Sequence, residues 1–126
     1  MQALGVDVGT SSVKVVLADE RGEVLATATR AYPCEHPHSG WSEQNPEDWY
    51  RESLEGIKEC LASAKADLGS VRAMSFGGQM HGLVVLDEND MVVRPAILWN
   101  DGRSTQECIY LNEHVGRERL LSWCAN

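Results

Sequence analysis

Through the first thirty residues apolar and polar positions alternate with period two. Leu4, Val6 and Val8 form one set, Val13, Val15 and Leu17 a second, and Leu25 between Val24 and Ala26 a third. Alternation of this kind buries one face of a strand and leaves the other wet, so three strands are predicted. Gly9-Thr10-Ser11-Ser12 separates the first two, and Asp19-Glu20-Arg21-Gly22 separates the second and third, with Gly22 able to take the positive φ that closes a hairpin. The product is a short antiparallel meander. Residues 31–44 hold two prolines and a central Gly40 without a period, and read as loop. At Asn45 the period becomes helical. Asn45 is the expected N-cap, Pro46 the first helical residue, and Glu47 and Asp48 sit in the positive first turn. The stripe Tyr50, Leu54, Ile57, Leu61 and Ala64 is expected to pack on the sheet, and Gly69 to end the segment.

A fourth strand is predicted over residues 71–76. Runs at 83–86 and 91–93 around Asp87-Glu88-Asn89-Asp90 predict a second hairpin, and 95–99 a further extended stretch. Ser104 and Glu107 have the spacing of a capping box for a helix running to about His114, whose imidazole suits a helix C-terminus. Gly116 should close that helix, and another helical segment is expected over 117–123. An apolar stretch is still in progress at 122–126, so the chain reads as the front portion of something longer. No internal repeat or low-complexity segment is visible.

Composition narrows the class. With 126 residues, 43% apolar and 24% charged, the chain is long enough for one soluble domain with a real core. A net charge of −8 argues against nucleic acid and against an anionic membrane surface, because both attract clustered Lys and Arg. No window approaches ~18 consecutive apolar residues, and the N-terminus lacks a basic segment ahead of its apolar run, so no membrane span or signal peptide is expected and the location is expected to be cytoplasmic. Cys34, Cys60, Cys108 and Cys124 are scattered without a CxxC pair and read as reduced thiols.

Three constellations carry candidate chemistry. In Asp7-Val8-Gly9-Thr10-Ser11-Ser12-Val13-Lys14, a strand ends in a carboxylate and is followed by Gly, three hydroxyls and a cation. Those are the parts of a phosphate-binding turn, with Asp7 able to hold Mg²⁺ through water. The octet equally suits an ordinary hairpin turn, and it is neither a Walker loop nor GxGxxG. Gly77-Gly78-Gln79-Met80-His81-Gly82 offers an amide and an imidazole between glycines, suited to polyol hydroxyls or to a plain surface turn. Trp99-Asn100-Asp101-Gly102-Arg103 suits a sugar through its aromatic face and polar groups, or else serves the following helix with Arg103 paired locally. Cys34, His36 and His38 lack an evident fourth ligand, so zinc is not predicted.

In this order and spacing the three constellations, together with Trp41-Ser42-Glu43-Gln44-Asn45-Pro46 and Arg94-Pro95-Ala96-Ile97-Leu98, resemble the FGGY carbohydrate kinases, and within them the xylulokinases. Glycerol kinases carry an Arg-Glu pair at the loop that holds Gln79-Met80-His81. The resemblance spans the chain to about Glu107. It implies an α/β, ribonuclease H-like fold of the actin-like ATPase superfamily, with a mixed sheet, an antiparallel β-meander and flanking helices. Residues 1–126 would be the N-terminal part of domain I, on the sugar-binding side, facing a C-terminal domain absent from this chain. The implied reaction is ATP- and Mg²⁺-dependent phosphorylation of D-xylulose to D-xylulose 5-phosphate. Asp7 would position Mg²⁺ and the phosphoryl group, while Gly9, Thr10, Ser11, Ser12 and Lys14 line the nucleotide phosphates. Gln79, Met80, His81, Trp99, Asn100, Asp101 and Arg103 would form or support the sugar pocket. The general base is an Asp further downstream, so the fragment alone is expected to be inactive, and a homodimer is possible at full length. The alternatives are a kinase of this family for another ketose, polyol or sugar acid, and a non-catalytic actin-like nucleotide-binding module.

Overall fold

The three period-two segments become β1 (Gln2–Val8), β2 (Ser12–Asp19) and β3 (Val24–Ala31) in a computed structural model that describes residues 1–124. They pair as the expected antiparallel meander, with Val6 opposite Val15 and Asp7 opposite Lys14, and Gly22 takes φ +81° at the hairpin. The loop that follows ends in a two-residue strand, β4 (Glu43–Gln44), which the absence of periodicity hides. Helix α1 (Pro46–Ser63) starts as predicted, with the Asn45 side chain accepting from Glu47 N. After it comes β5 (Val71–Gly78), which adds to the sheet parallel to β1. The order is β3-β2-β1-β5. A second small sheet joins β4 to β6 (Ala96–Ile97), and the chain continues into α2 (Thr105–Leu111) and α3 (Arg117–Cys124). The architecture is the mixed α/β one expected.

Leu4, Val6, Val13, Val15, Leu17 and Ala28 form the inner face of the sheet, and Cys60 of α1 and Tyr32 complete the core. Full burial of each Val or Leu contributes roughly 1.5–3 kcal/mol. The later part of the predicted stripe, Ile57, Leu61 and Ala64, packs on this face as expected, but its first two residues do not. Tyr50 and Leu54 are 66% and 39% exposed, whereas Trp49, Gly56, Ile57, Cys60 and Leu61 face the sheet. Gly56 and Cys60 let the helix approach closely, and the Cys60 thiol donates to Val15 O at 3.3 Å. Burial pushes that thiol's pKa up.

Several boundaries differ. Helix α1 stops at Ser63 rather than near Gly69, because Lys65 turns into the left-handed region and the Asp67 carboxylate caps a separate 3₁₀ turn, Leu68–Ser70, by accepting from Gly69 N. Strand β5 runs two residues past the expected end, its parallel ladder continuing to Val8 opposite Gly78. The predicted hairpin at 83–93 forms its turn, where Asp87 Oδ1 accepts from Asn89 N and Met91 N, but only a single bridge, Leu86 to Val92, rather than paired strands. Leu83, Val84, Leu86, Met91 and Val93 are all exposed, and a two-stranded hairpin needs an apolar face packed on something. The Ser104 capping box does not form, since Ser104 has a non-extended backbone (ψ 15°) and makes no side-chain cap bond. Helix α2 ends at Leu111, three residues before His114, and passes into a π-helical turn, Asn112–Gly116, where Gly116 at φ +89° separates it from α3. The expectation about residues 125–126 lies outside the described residues. Among those described, no helix is long and apolar enough to cross a membrane.

Candidate functional site

Strands β1 and β5 run parallel and end side by side, and at their carboxyl ends two of the predicted constellations meet. The turn after β1 closes through Gly9 N to Ser12 O at 3.0 Å. Tyr32 braces it twice, its hydroxyl donating to Gly9 O and its backbone N donating to Ser11 O at 3.3 Å. Burial, with the charge of Asp7 adding to it, pushes the Tyr32 phenol up to about 12, so it stays a neutral donor at physiological pH. Asp7 and Lys14 face each other across the ladder on the side of the sheet opposite α1. With Ser75 and Phe76 they line a cavity of about 280 Å³. Ser11 is exposed, and Thr10 and Ser12 half-buried, as groups offered to a ligand would be.

The loop after β5 folds against the end of β1. Gln79 N donates to Val8 O at 2.8 Å, and a Cβ on Gly78 would stand 2.7 Å from that same carbonyl, so only glycine permits the approach. His81 has φ +63°. A second cavity of about 310 Å³ opens here between Val8, Trp49, Gln79, His81, Val84 and Leu98. Gly77 borders both cavities, so the two lie next to each other across the strand ends. Met80 is 69% exposed and does not line the cavity. The Gln79 amide donates through Nε2 to Gln44 Oε1 at 3.0 Å, and its own Oε1 is buried without a partner.

The third constellation divides. Trp99 reaches the phosphate-type turn, its Nε1 donating to Thr10 Oγ1 at 3.4 Å, and Asn100 is exposed. Asp101 and Arg103 do not line the cavity beside Gln79; they are buried against each other in a local pair, one of the two readings the sequence left open. Arg103 also contacts Glu43 at 2.8 Å, Arg94 reaches the same carboxylate at 3.0 Å, and the Arg103 guanidinium lies 3.7 Å above the Trp41 ring. Two anions and two cations therefore tie the 35–44 loop to the 94–103 segment. Sequence reasoning missed the buried polar pair Glu43 and Gln44, 8% and 1% exposed, as well as Trp49 and Tyr32. The available signal was polar residues in the Trp41 to Pro46 motif with no solvated period to explain them. His36 is occupied locally, its Nδ1 bonded with Trp41 O at 2.7 Å, and His38 stands edge-on to the Trp41 ring.

What this arrangement offers chemically is a pair of cavities that share Gly77, one bordered by a carboxylate, a lysine and the Ser75 hydroxyl, the other by an amide, an imidazole and apolar walls. The chain is 42% identical over 117 residues to a xylulose kinase of Bacillus subtilis (strain 168), covering 93% of this chain and 23% of the relative. It is 44% identical over 119 residues to a xylulose kinase of Escherichia coli (strain K12), covering 94% and 24%. Among solved structures, a kinase from Brucella ovis described as a xyloylose kinase superimposes with a TM-score of 0.86 at 38% identity, over 90% of this chain and 24% of that one. The chain thus spans about a quarter of the length of these relatives. The family model described as the FGGY family of carbohydrate kinases, N-terminal domain, matches residues 2–123, and the chain belongs to that family.

Proposed function

We propose that the full-length protein carrying this chain transfers the terminal phosphoryl group of ATP to D-xylulose, yielding D-xylulose 5-phosphate. In this reading the chain is the sugar-binding side of domain I, and the nucleotide's second wall and the general base, an Asp, are supplied from further along the protein. The observation that carries the reading is the adjacency of the two cavities at the ends of β1 and β5, one bordered by Asp7 and Lys14, the other by Gln79 and His81. Phosphoryl transfer needs little covalent chemistry from the protein and depends on holding donor and acceptor in line within a water-poor cleft.

Within that reading, Lys14 and the amides and hydroxyls of Gly9, Thr10, Ser11 and Ser12 hold the nucleotide phosphates. His81 and Gln79 orient the sugar, and Trp49 and Leu98 exclude water from its apolar side. The exposed Asp7 carboxylate at a strand end, with a Lys opposite, is a hard oxygen donor that fits a water-mediated Mg²⁺. A Mg²⁺ held there by Asp7 would supply positive charge against the charge that develops on the transferred phosphoryl group. Trp99, Asp101 and Arg103 support the pocket from behind by holding the 94–103 segment.

ADP release by the full-length protein, coupled to a reporter and run against a panel of ketoses, pentitols and sugar acids, tests this. D-Xylulose should give the highest kcat/KM, and His81→Ala should lower that value by ~10²-fold or more through a lost hydroxyl contact. Absence of sugar-stimulated ADP release would overturn the reading, and a clear preference for another sugar would move it to a different member of the same family.

A further inference from the structure

Gln44 meets all four hydrogen-bonding capacities of its side-chain amide while almost fully buried. Its Nε2 donates to the carbonyl oxygens of Thr10 (2.7 Å) and Pro33 (3.2 Å), and its Oε1 accepts from Trp49 Nε1 (3.0 Å) and Gln79 Nε2 (3.0 Å). These partners fix which way the amide points. Carbonyl oxygens only accept and an indole N–H only donates, so exchanging the two ends of Gln44 would lose three bonds. The orientation propagates, because an oxygen on Gln44 demands a donor and obliges Gln79 to turn its Nε2 inward. Thr10 belongs to the turn after β1, and Gln79 to the loop after β5. The Gln44 backbone pairs in β4 with Ala96 of β6, the strand that leads to Trp99 and its bond to Thr10. One buried side chain therefore joins the turn at 9–12, the Pro33 backbone, helix α1 and the loop at 77–82, and the last two line the cavity beside Gln79.

We infer that Gln44 is a positioning residue that sets the separation between the turn at 9–12 and the loop at 77–82, and so aligns the transferred phosphoryl group with the sugar hydroxyl. The catalytic half of this inference rests on the kinase function proposed above, while the mechanical half rests on the hydrogen bonds alone. Gln44 touches neither substrate and acts through Thr10 and Gln79. A displacement of ~1 Å between reacting groups costs about 10²-fold in rate, even when each substrate keeps its own binding contacts. Loss of Gln44 should therefore appear in kcat rather than in either KM.

Three variants of the full-length protein separate this from simple stabilisation. Gln44→Met keeps the length and removes all four bonds. Gln44→Glu keeps the acceptor for Trp49 and Gln79 but sets an oxygen against the Thr10 and Pro33 carbonyls. Trp49→Phe removes one donor and keeps most of the ring packing. The expected result is a kcat, per folded enzyme, lower by roughly 10- to 100-fold in both Gln44 variants, with KM for ATP and for sugar each within about threefold, and lower by about 2- to 5-fold in Trp49→Phe. A larger share of ADP should also be released without sugar phosphate being formed. Unchanged kcat with a lowered melting temperature overturns the inference, as does a rise confined to one KM. If the Gln44 variants fail to fold, Trp49→Phe decides by amide exchange at Gly9 and Gln79 rather than by kinetics, because Trp49 also lines the proposed sugar cavity.

Hydrogen exchange tests the mechanical half without any turnover. The amides of Gly9 and Gln79, bonded to Ser12 O and Val8 O, should both exchange faster in Gln44→Met, or in Trp49→Phe where that is the folded variant. If the wild-type protein shows no sugar-stimulated ADP release, the kinase reading falls and exchange still decides the link. Faster exchange at both amides upholds it, and faster exchange at one or neither overturns it.

Discussion

Both carboxylate oxygens of Asp101 are engaged. Oδ1 accepts from Arg103 N and Nε, each at 2.8 Å, and Oδ2 accepts from Ser42 N and Arg103 Nη2, each at 2.7 Å. The Arg103 guanidinium is the main cause holding this carboxyl well below the usual range, with the backbone donors of Ser42 and Arg103 assisting and burial opposing. Because the folded value lies below the unfolded value of about 3.9, the native state binds this proton more weakly than the unfolded chain does. Its stabilisation is thus complete above roughly pH 5 and is lost as pH falls through 3.9 toward the folded value. Urea denaturation followed against pH should show a midpoint that drops in acid. Asp101→Asn should have a lower midpoint at pH 7 and a shallower acid dependence. At this scale the sequence was only partly informative. Gln79 and His81 border a cavity as the Gly-flanked motif suggests, but the bracing role of Asp101 and Arg103 depends on Ser42 and Glu43, some sixty residues earlier, and no local pattern marks partners at that distance.

Helix α1 shows how an element can be legible in its start and only partly so in its facing. The Asn45 cap and Pro46 are local features and appear as the sequence predicts, so Asn45→Ala should lower unfolding free energy by ~1 kcal/mol in denaturant titration, with no change in slope. Which side faces the sheet depends on how closely the helix can approach, and a count of large apolar residues does not report that. Gly56 decides it here. A Cβ at Gly56 would stand 2.9 Å from Val15 Cγ2 and 3.4 Å from Arg30 Cγ, so Gly56→Ala must lift the helix or displace Val15. Despite the better helix propensity of Ala, that variant should lose about 1–3 kcal/mol by the same titration. Strands β1 to β3 were readable because a half-buried sheet writes its facing into every second residue. The predicted hairpin at 83–93 forms only in short form for the converse reason, joined at the Leu86–Val92 bridge with Asp87 N donating to Met91 O and Val93 N to Val85 O while its apolar residues stay exposed.

Across the whole molecule, the strand order and the parallel pairing of β5 with β1 bring the two cavities together at one end of the sheet, an outcome that periodicity cannot supply because it depends on a crossover through α1. What the chain holds is one wall of the proposed cleft. If the general base and the nucleotide wall lie further along the protein, as proposed, their loss lowers the rate by ~10²–10⁴-fold and more, so the 126-residue chain alone should show no sugar-stimulated ADP release under conditions where the full-length protein turns over readily. The outer strand of the sheet bears on how that control is run. β5 stands at the edge of the order β3-β2-β1-β5, with Met74 43% and Phe76 68% exposed. A long open edge with apolar side chains is a template on which a second copy can add its own strand. Prepared by itself, the chain should grow in apparent mass with concentration in light scattering, and substituting Lys for Phe76 should suppress the growth. A dimer found with the isolated chain would then measure an adhesive strand, and the quaternary state of the enzyme has to be read from the full-length protein.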